Sequence, residues 1–447
     1  MPQSRIVKLA RRLICGDVIW LLHRFRLILG MVGPVARPEL LVSQVKSSVT
    51  SGFLPFGQQG PVKVVIFSHN LDYEGASISL KELVFGLVRH GVIDPTVMAF
   101  KDGPLRAEYE SNGVPVQILP NILHKISTLK HLKIEVDHLA LLIKESGGRL
   151  VFVNTLLNFP AILAAERAGV SSVWNPRESE PWESYFRFLP NPVAQRAIAA
   201  IGLPKKVIFV AEATRKVWGS FDMQGHFEVI HNGINLDRFP LRNDLNEIAR
   251  CRSELDLTPG SVALLCVGTL CDRKGQMDLV EAFAALPKSI SSTIEILLVG
   301  DDSSQYAELV KARCRSLPNY IQAKIRIFPL TRSIAKFYAA ADIFVLSSRV
   351  ESFPRVVLEA MAFGLPIITT PVFGVLEQVI EGKNALFYPP GDSRLLAEKI
   401  EELVSDNWLR IRMGESSYQR TAQMTTYDEM ITAYARICRG VVNLMPD

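Results

Sequence analysis

The sequence predicts an α/β protein built from two doubly wound parallel-sheet domains with a cleft between them. Its 447 residues are enough for two or three domains, each with a core of its own. Continuous apolar runs, such as VKVVIFS at 62–68, are typical of strands buried on both faces of a parallel sheet. Helical patterns alternate with these runs, which predicts right-handed βαβ units.

The alternation of strands and helices runs twice along the chain. In the first run, strands are predicted at 62–68, 94–99, 115–119, 149–154, 171–174, 206–211 and 227–231, and helices near 76–90, 104–112 and 132–146. In the second run, strands are predicted at 261–269, 293–300, 324–329, 342–348, 366–370 and 385–389, and helices at 275–286, 304–315, 332–341 and 354–363. The runs join near 236–258. Ligands of such sheets bind outside the carboxyl ends of the strands, so we expect the functional loops there.

Charge and cysteine content exclude several classes of protein. The net charge is +5, and residues 1–31 carry six basic side chains against one acidic, so the rest of the chain is neutral and offers no groove for nucleic acid. The six cysteines form no CxxC pair and no framework spacing, and the eight histidines form no HExxH motif. We therefore expect reduced thiols, a cytoplasmic location and no metal site.

The N-terminal arm, residues 1–31, has the pattern of an amphipathic basic helix. Its uncharged stretches are shorter than the ~20 apolar residues that a bilayer requires, and it lacks the features of a secretory signal. One interpretation is a helix lying on an anionic membrane surface, which would make the protein peripheral at the inner face of the membrane. The other is a helix docked on its own domain.

Two glutamates mark the most informative segment, RVESFPRVVLEAMAFGLPIITTP. Glu359 lies in a largely apolar helix that begins near Pro354 and ends before Gly364, and Glu351 precedes that helix. A carboxylate buried there needs a partner. Either Glu359 pairs with Arg355 at i,i+4, or both glutamates point into a cleft and accept hydrogen bonds from ligand hydroxyls.

A second loop, VGTLCDRKGQ at 267–276, runs from a strand end into a helix. Lys274 and Gly275 lie at the helix start, where free N–H groups and the helix dipole favour an anion such as phosphate. The alternative is a solvated basic turn. The loop is neither a Walker A motif nor GxGxxG, which argues against an ATPase or a dinucleotide-binding oxidoreductase.

Three strand ends of the first run carry further candidates. Gly75 and Ala76 open a helix in SHNLDYEGASISL, so the backbone there can approach a ligand closely. Arg177 and Glu178 in WNPRESE are either a surface ion pair or a site for a polar substrate. Asn232 begins an Asn-Gly sequence after an edge strand, which is either a simple tight turn or part of the interdomain crevice.

Three motifs in this order resemble a known family. They are NGINLDRF at 232–239, VGT…RKG at 267–275 and ADIFVLSSRVESFPRVVLEAMAFGLPIITT at 341–370. Together they resemble retaining glycosyltransferases of the GT-B fold, within the group that uses nucleotide-sugars to build bacterial polysaccharides and glycolipids. The resemblance covers about residues 62–435. It implies an arm and connector at 1–60, Rossmann-like domains at 61–240 and 241–425, and a helix at 426–447 that crosses back to the first domain.

The resemblance also implies roles for the donor-side residues. Glu351 would contact hydroxyls of the donor sugar, and Glu359 would hold the ribose hydroxyls of the nucleotide. Lys274 would bind the diphosphate, assisted by backbone amides around Ser352 and Phe353. The glycine of the second phosphate loop is Gly268, and where the family often has an arginine after it this chain has Thr269. Arg273 is the expected substitute for that charge.

On the acceptor side, the resemblance places Gly75 and Ala76 in a loop that faces donor and acceptor. The family often has a histidine in the loop where this chain has Arg177 and Glu178, so Glu178 is the expected catalytic stand-in. With Lys274 and Glu351 it completes the predicted catalytic set.

The predicted reaction transfers a sugar from a nucleoside-diphosphate donor to a saccharide or lipid-linked acceptor, without a metal or a cofactor. Two alternatives remain. A GT-B epimerase or hydrolase would consume the sugar nucleotide with no acceptor present, and a non-catalytic GT-B scaffold at the membrane would bind no nucleotide.

Overall fold

The computed structural model describes residues 60–122, 125–236 and 244–443. The basic arm at 1–31 lies outside these residues, so both interpretations of it stay predictions. Among the described residues, no helix combines the length and the apolar character needed to cross a bilayer.

The first domain is a seven-stranded parallel sheet. Its order is β3-β2-β1-β4-β5-β6-β7. The strands are β1 (Val62–Ser68), β2 (Ile93–Ala99), β3 (Val116–Ile118), β4 (Leu150–Asn154), β5 (Ser172–Asn175), β6 (Lys206–Phe209) and β7 (Phe227–Val229). The helices are α1 (Gly75–Arg89), α2 (Leu105–Ser111), α3 (Leu129–Glu145), α4 (Phe159–Ala168), α5 (Trp182–Tyr185), α6 (Asn191–Ala199) and α7 (Glu212–Trp218).

The second domain is a six-stranded parallel sheet. Its order is β10-β9-β8-β11-β12-β13. The strands are β8 (Val262–Val267), β9 (Ile294–Asp301), β10 (Ile325–Pro329), β11 (Ile343–Leu346), β12 (Ile367–Thr369) and β13 (Ala385–Phe387). The helices are α8 (Leu245–Glu254), α9 (Gln276–Ala285), α10 (Lys288–Ser291), α11 (Gln305–Arg315), α12 (Asn319–Gln322), α13 (Ala335–Ala340), α14 (Arg355–Ala362), α15 (Val375–Gln378), α16 (Ser393–Ser405) and α17 (Asn407–Thr421). A last helix, α18, spans Tyr427–Asn443.

The two parallel sheets confirm the predicted fold class. In each sheet the strand order reverses at one place, between β1 and β4 in the first domain and between β8 and β11 in the second. Loops leaving neighbouring strands in opposite directions open a crevice at such a point. Most of the predicted site loops follow these strands or their neighbours, and the loop with Asn232 follows the edge strand β7.

Several helices were not predicted from the sequence, namely 159–168, 182–185, 191–199, 212–218, 245–254, 393–405 and 407–421. The segment at 236–258, taken as the join between the two runs, contains α8. That helix packs against α13 and buries Cys251 in the second core, so it belongs structurally to the second domain.

Helix α18 packs against α1, β1 and β4 of the first domain. The Tyr427 hydroxyl donates to the backbone oxygen of Glu82 (2.7 Å), and the Tyr434 hydroxyl donates to Asn175 Oδ1 (3.2 Å). A Cβ at Gly86 would lie 2.3 Å from Ile431 Cδ1, so a glycine allows the two helices this close contact.

An ion pair between Arg355 and Glu82 joins the two domains directly. Both nitrogens of the Arg355 fork, from α14, bond the carboxylate of Glu82 on α1, one of them at 3.0 Å. Their side chains are only 19% and 18% exposed. Bidentate geometry and low exposure make this pair stronger than an ordinary surface ion pair.

We expect Glu82→Gln to lower the free energy of unfolding by about 3 kcal/mol, because it leaves the buried Arg355 charge with a weaker partner. Urea unfolding measures this loss. Glu110→Gln is the matched control, since Glu110 pairs with Arg106 on an exposed helix face and its loss should cost under about 0.5 kcal/mol. Equal losses in the two variants would contradict a special role for the interdomain pair.

Candidate functional site

The predicted site residues line one cleft between the carboxyl ends of the two sheets, with a cavity volume of about 1060 Å³. From the first domain it takes Gly75, Ala76, Arg177, Glu178 and Asn232; from the second it takes Gly268, Thr269, Arg273, Lys274, Glu351, Ser352, Phe353 and Glu359. The structure therefore brings all of them together. The role assigned to each of them stays a prediction.

Lys274 and Glu351 form a buried ion pair on the second-domain wall. Lys274 Nζ lies 2.5 Å from Glu351 Oε1, and the side chains are 17% and 7% exposed. The same carboxylate oxygen accepts a bond from Ser348 Oγ (2.6 Å). Burial opposes ionisation of Glu351, but the charges of Lys274 and Arg273 outweigh it and hold its pKa below the ordinary value.

Backbone geometry fixes the lysine loop against the strand that leads to Glu351. Gly275 has a φ of 65°, and a Cβ there would lie 2.1 Å from the Ser347 oxygen. Ser347 Oγ donates to the Lys274 oxygen (2.9 Å), and the Arg349 N–H donates to the Arg273 oxygen (2.8 Å). Glycine is needed at this point because both its dihedral angle and the close contact exclude a side chain.

The glycine loop after β8 packs closely on the end of β9. A Cβ at Gly300 would lie 2.1 Å from the Gly268 oxygen, and Gln276 Nε2 donates to the Gly268 and Thr269 oxygens (3.2 and 3.1 Å). Thr269 is thus held by its backbone and brings no charge to this loop.

Arg273 supplies a guanidinium on the same wall. Its Nη1 donates to the Val350 oxygen (3.0 Å) and lies 4.0 Å from Glu351 Oε2, while the side chain remains 45% exposed. The guanidinium therefore lies beside the Lys274–Glu351 pair and lines the cleft, a position that the sequence alone could not establish.

Glu359 lines the same wall. Its Oε2 accepts a hydrogen bond from the Tyr338 hydroxyl (2.9 Å), and its Oε1 lies 3.6 Å from Arg355. Burial and the nearby carboxylate raise the pKa of Tyr338 well above the ordinary value, so its hydroxyl stays a donor. The i,i+4 pairing of Arg355 and Glu359 is present but buried and secondary, since the main partner of Arg355 is Glu82.

The first-domain wall presents the guanidinium of a half-buried arginine, Arg177. Arg177 donates from Nη1 to Asn232 Oδ1 (2.8 Å) and from Nε to Asn154 Oδ1 (3.2 Å). Its backbone oxygen accepts a bond from Ser352 Oγ (2.6 Å), across the cleft. The reading of Arg177 and Glu178 as a surface ion pair is wrong, because burial and amide partners replace solvent here.

Glu178 points back into its own domain. Its Oε2 accepts the backbone N–H groups of Leu156 (2.9 Å) and Arg177 (2.8 Å), and its Oε1 accepts the Tyr185 hydroxyl (3.2 Å). Burial raises its pKa although these donors oppose the shift. These bonds hold the loop after β5 in place, and a direct catalytic role for Glu178 stays a prediction.

Asn232 links the two walls, since its Nδ2 donates to the Phe353 oxygen (3.0 Å). The neighbouring His231 ring stacks on the Phe353 ring, with 4.8 Å between the centroids. The Asn-Gly sequence is therefore part of the interdomain crevice rather than a simple turn.

The cleft also contains residues that sequence reasoning did not select, among them His69, Thr155 and Arg332. Arg332 follows β10 and lies over the Tyr73 ring of the first domain, 4.7 Å from its centroid. It is also 3.4 Å from Glu108. His69, Thr155 and Arg332 each lie in a loop after a strand. The other candidate residues were predicted from that same position, so the sequence held a usable signal for these three as well.

Within residues 60–122, 125–236 and 244–443, no three His, Cys, Asp or Glu side chains cluster as metal ligands would, and the five cysteines there are free. The expectation about metals is not tested by this finding.

We expect Lys274→Met to cost about 3–5 kcal/mol of stability at neutral pH, because it leaves the Glu351 charge buried without its nearest cation. In the parent, Glu351 has a lowered pKa, so its contribution is lost as pH falls through that pKa. In the variant burial dominates and raises the pKa, so stability should increase as pH falls from neutral. Urea unfolding between pH 7 and 5 checks the sign in the variant, and unfolding between pH 5 and 3 checks the sign in the parent.

Lys101→Met is the control for this prediction, because Lys101 is 63% exposed beside Asp72. Its loss should cost under about 1 kcal/mol with little pH dependence. A Lys274→Met variant as stable as this control at neutral pH would show that the Glu351 charge does not depend on the lysine.

Two family models match the chain, one in each domain. The model described as "Glycosyltransferase Family 4" matches residues 73–238, and the model described as "Glycosyl transferases group 1" matches residues 250–420.

Curated relatives match mainly over part of their length. The lipopolysaccharide core biosynthesis glycosyltransferase LpsE of Rhizobium meliloti (strain 1021) is 28% identical over 42% of this chain and 53% of its own. The capsular polysaccharide biosynthesis glycosyltransferase CapM of Staphylococcus aureus is 29% identical over 42% of this chain and 48% of its own. The matched region thus spans about half the length of these relatives.

Solved structures extend the likeness in fold to most of the chain. The crystal structure of Anabaena HepE in complex with UDP-glucose superimposes with a TM-score of 0.72 and 20% identity, over 85% of this chain and 99% of that one. At that identity the likeness concerns the fold. Taken with the two family models and the two parallel sheets, it shows that the chain has the GT-B fold and carries a domain of glycosyltransferase family 4 followed by a domain of the group 1 glycosyltransferases.

Proposed function

We propose that the protein transfers a sugar, with retention of anomeric configuration, from a nucleoside-diphosphate donor to a saccharide or lipid-linked acceptor in polysaccharide or glycolipid biosynthesis. The observation that carries the proposal is the pairing of Lys274 with Glu351 in the interdomain cleft, with Arg273 beside them. LpsE and CapM are named for polysaccharide-building transfers, which supports this class of acceptor.

The cationic groups fit the chemistry of the leaving group. When a diphosphate departs from a sugar, negative charge develops on its oxygens, and preorganised donors in a dry cleft stabilise that charge. The ammonium of Lys274 has three protons, so its bond to Glu351 leaves two for phosphate oxygens. Arg273 adds a second charge, so these side chains suit a reaction that requires no metal.

The two glutamates fit hydroxyl recognition better than hydrolysis. Lys274, and more distantly Arg273, neutralise Glu351, which keeps it ionised and able to accept hydrogen bonds from the donor sugar. Glu359 receives one hydroxyl donor, from Tyr338, on one oxygen, and its position along the same wall suits the ribose. In this proposal neither acts as the acid of a glycoside hydrolase pair.

UDP is the first nucleotide to test, since Anabaena HepE is a structural neighbour seen with UDP-glucose. We expect one of UDP, GDP, ADP or CMP to raise the melting temperature of the purified protein. Glu359→Gln should weaken that nucleotide about tenfold, as loss of a charged hydrogen-bond acceptor does. Glu351→Gln should mainly slow transfer. Glu398→Gln is the control, because Glu398 is exposed, paired with Arg394 and not among the residues that line the cleft.

No response to any of these nucleotides would favour the scaffold alternative. Consumption of the nucleotide-sugar at one rate with and without saccharide acceptors would favour an epimerase or hydrolase.

We expect Gly75→Val to abolish or strongly reduce transfer without loss of stability. A Cβ at Gly75 meets no atom within 4 Å, and the residue lines the cleft, so the added side chain would occupy substrate space. Helix propensity alone should change stability by less than about 0.5 kcal/mol. Gly440→Val makes the same change in α18, also with no atom within 4 Å, and should leave transfer intact. Equal activity in both variants would contradict this placement of substrate.

A further inference from the structure

Thr155, directly after β4, has a strained backbone. Its φ is 69° and its ψ is 155°, a region that β-branched residues very rarely adopt. The conformation is held from both sides, since the Thr155 N–H donates to the Asn175 oxygen (3.0 Å) and its oxygen accepts from Trp174 Nε1 (2.8 Å). Strain of this kind persists only where the surroundings impose it, and it concentrates at functional sites.

The Thr155 side chain adds a second cost. The residue is 1% exposed, and within the described residues its Oγ1 has no hydrogen-bond partner. A buried hydroxyl left in this way costs about 1–3 kcal/mol. Thr155 is one of the residues that line the cleft, so this buried polar group lies within the wall of the cleft.

His69 occupies the equivalent position on the neighbouring strand. Phe67 of β1 pairs with Val153 of β4, so His69 and Thr155 each lie two residues beyond that pair. This is also the place where the strand order of the first sheet reverses.

The hydrogen bonding of His69 leaves one ring nitrogen for a ligand. Its Nε2 lies 3.4 Å from Glu74 Oε2, and this bond lowers the pKa of Glu74, which is therefore an ionised acceptor at neutral pH. Nε2 must then donate, so in the neutral ring Nδ1 carries a lone pair. That Nδ1 atom is buried and, within the described residues, has no partner.

We propose that Thr155 Oγ1 and His69 Nδ1 form a subsite for a hydroxyl group of a sugar substrate. A hydroxyl both donates and accepts, so it can donate to His69 Nδ1 and accept from the Thr155 hydroxyl. The sugar is either the acceptor or the hexose of the donor. This inference rests on the proposed function, and it assigns both residues a positioning role at the first-domain switch point.

The stability of Thr155→Val tests the hydroxyl without any substrate. Valine keeps the shape and the β-branched strain and removes only the hydroxyl. If the hydroxyl serves a ligand, the melting temperature of the variant should equal or exceed that of the parent. A lower melting temperature would overturn the inference, because the hydroxyl would then be bonded within the folded protein itself.

Turnover by the full chain tests the ligand. Nucleotide release is measured from UDP-glucose, UDP-galactose, UDP-N-acetylglucosamine, ADP-glucose and GDP-mannose, each with water and with octyl β-glucoside as acceptor. With the donor that reacts, Thr155→Val and His69→Phe should raise the KM of one sugar at least tenfold, whereas Thr155→Ser, which keeps the hydroxyl, should behave like the parent. A raised KM for the octyl glucoside assigns the subsite to the acceptor, and a raised KM for the nucleotide-sugar assigns it to the donor.

Unchanged KM values for both sugars in Thr155→Val would overturn the inference and leave the proposed function standing. No nucleotide release by the parent from any of the five donors would count against the proposed function itself, and the inference would fall with it.

Discussion

The second-domain wall of the cleft depends on the buried contact between Lys274 and Glu351. The side chains of Lys274 and Glu351 are only 17% and 7% exposed, so either charge would be costly to bury alone. The ion pair offsets that cost for both charges. The two residues follow β8 and β11, the strands between which the sheet order reverses, so their bond ties together the loops that flank the crevice. Under the proposed function, the lysine loop is thus already in position before the donor arrives, which reduces the reorganisation that catalysis requires.

The strands could be predicted from the sequence because strands buried on both faces read as continuous apolar runs. The missed helices lack a comparable signal. In Asn407–Thr421 the buried residues are Met413, Gly414, Ser417 and Thr421, so the face that packs is mostly small and polar. Likewise Leu245–Glu254 buries only Cys251. Helices whose contact face is not apolar have no hydrophobic period to detect, and tertiary packing alone defines them.

The candidate site was predictable as a set of strand ends, but its internal bonds were not. The sequence suggested an ion pair between Arg355 and Glu359, whereas in the structure the main partner of Arg355 is Glu82, 273 positions away. Such contacts depend on how the domains meet, which no local pattern encodes. Thr155 is the extreme case, since threonine after a strand looks ordinary and only its φ of 69° reveals the strain, which its bonds to Asn175 and Trp174 hold in place.

The segment at Ser352 and Phe353 couples the two walls. Ser352 Oγ bonds the Arg177 oxygen, and Asn232 Nδ2 bonds the Phe353 oxygen, so the first domain holds the backbone beside Glu351. Any movement of one domain against the other must break or shift these bonds. Under the proposed function, the geometry that receives the leaving diphosphate is therefore set by the acceptor-side domain as well. An open arrangement would loosen this segment, whereas in the arrangement seen here these bonds hold the two walls together.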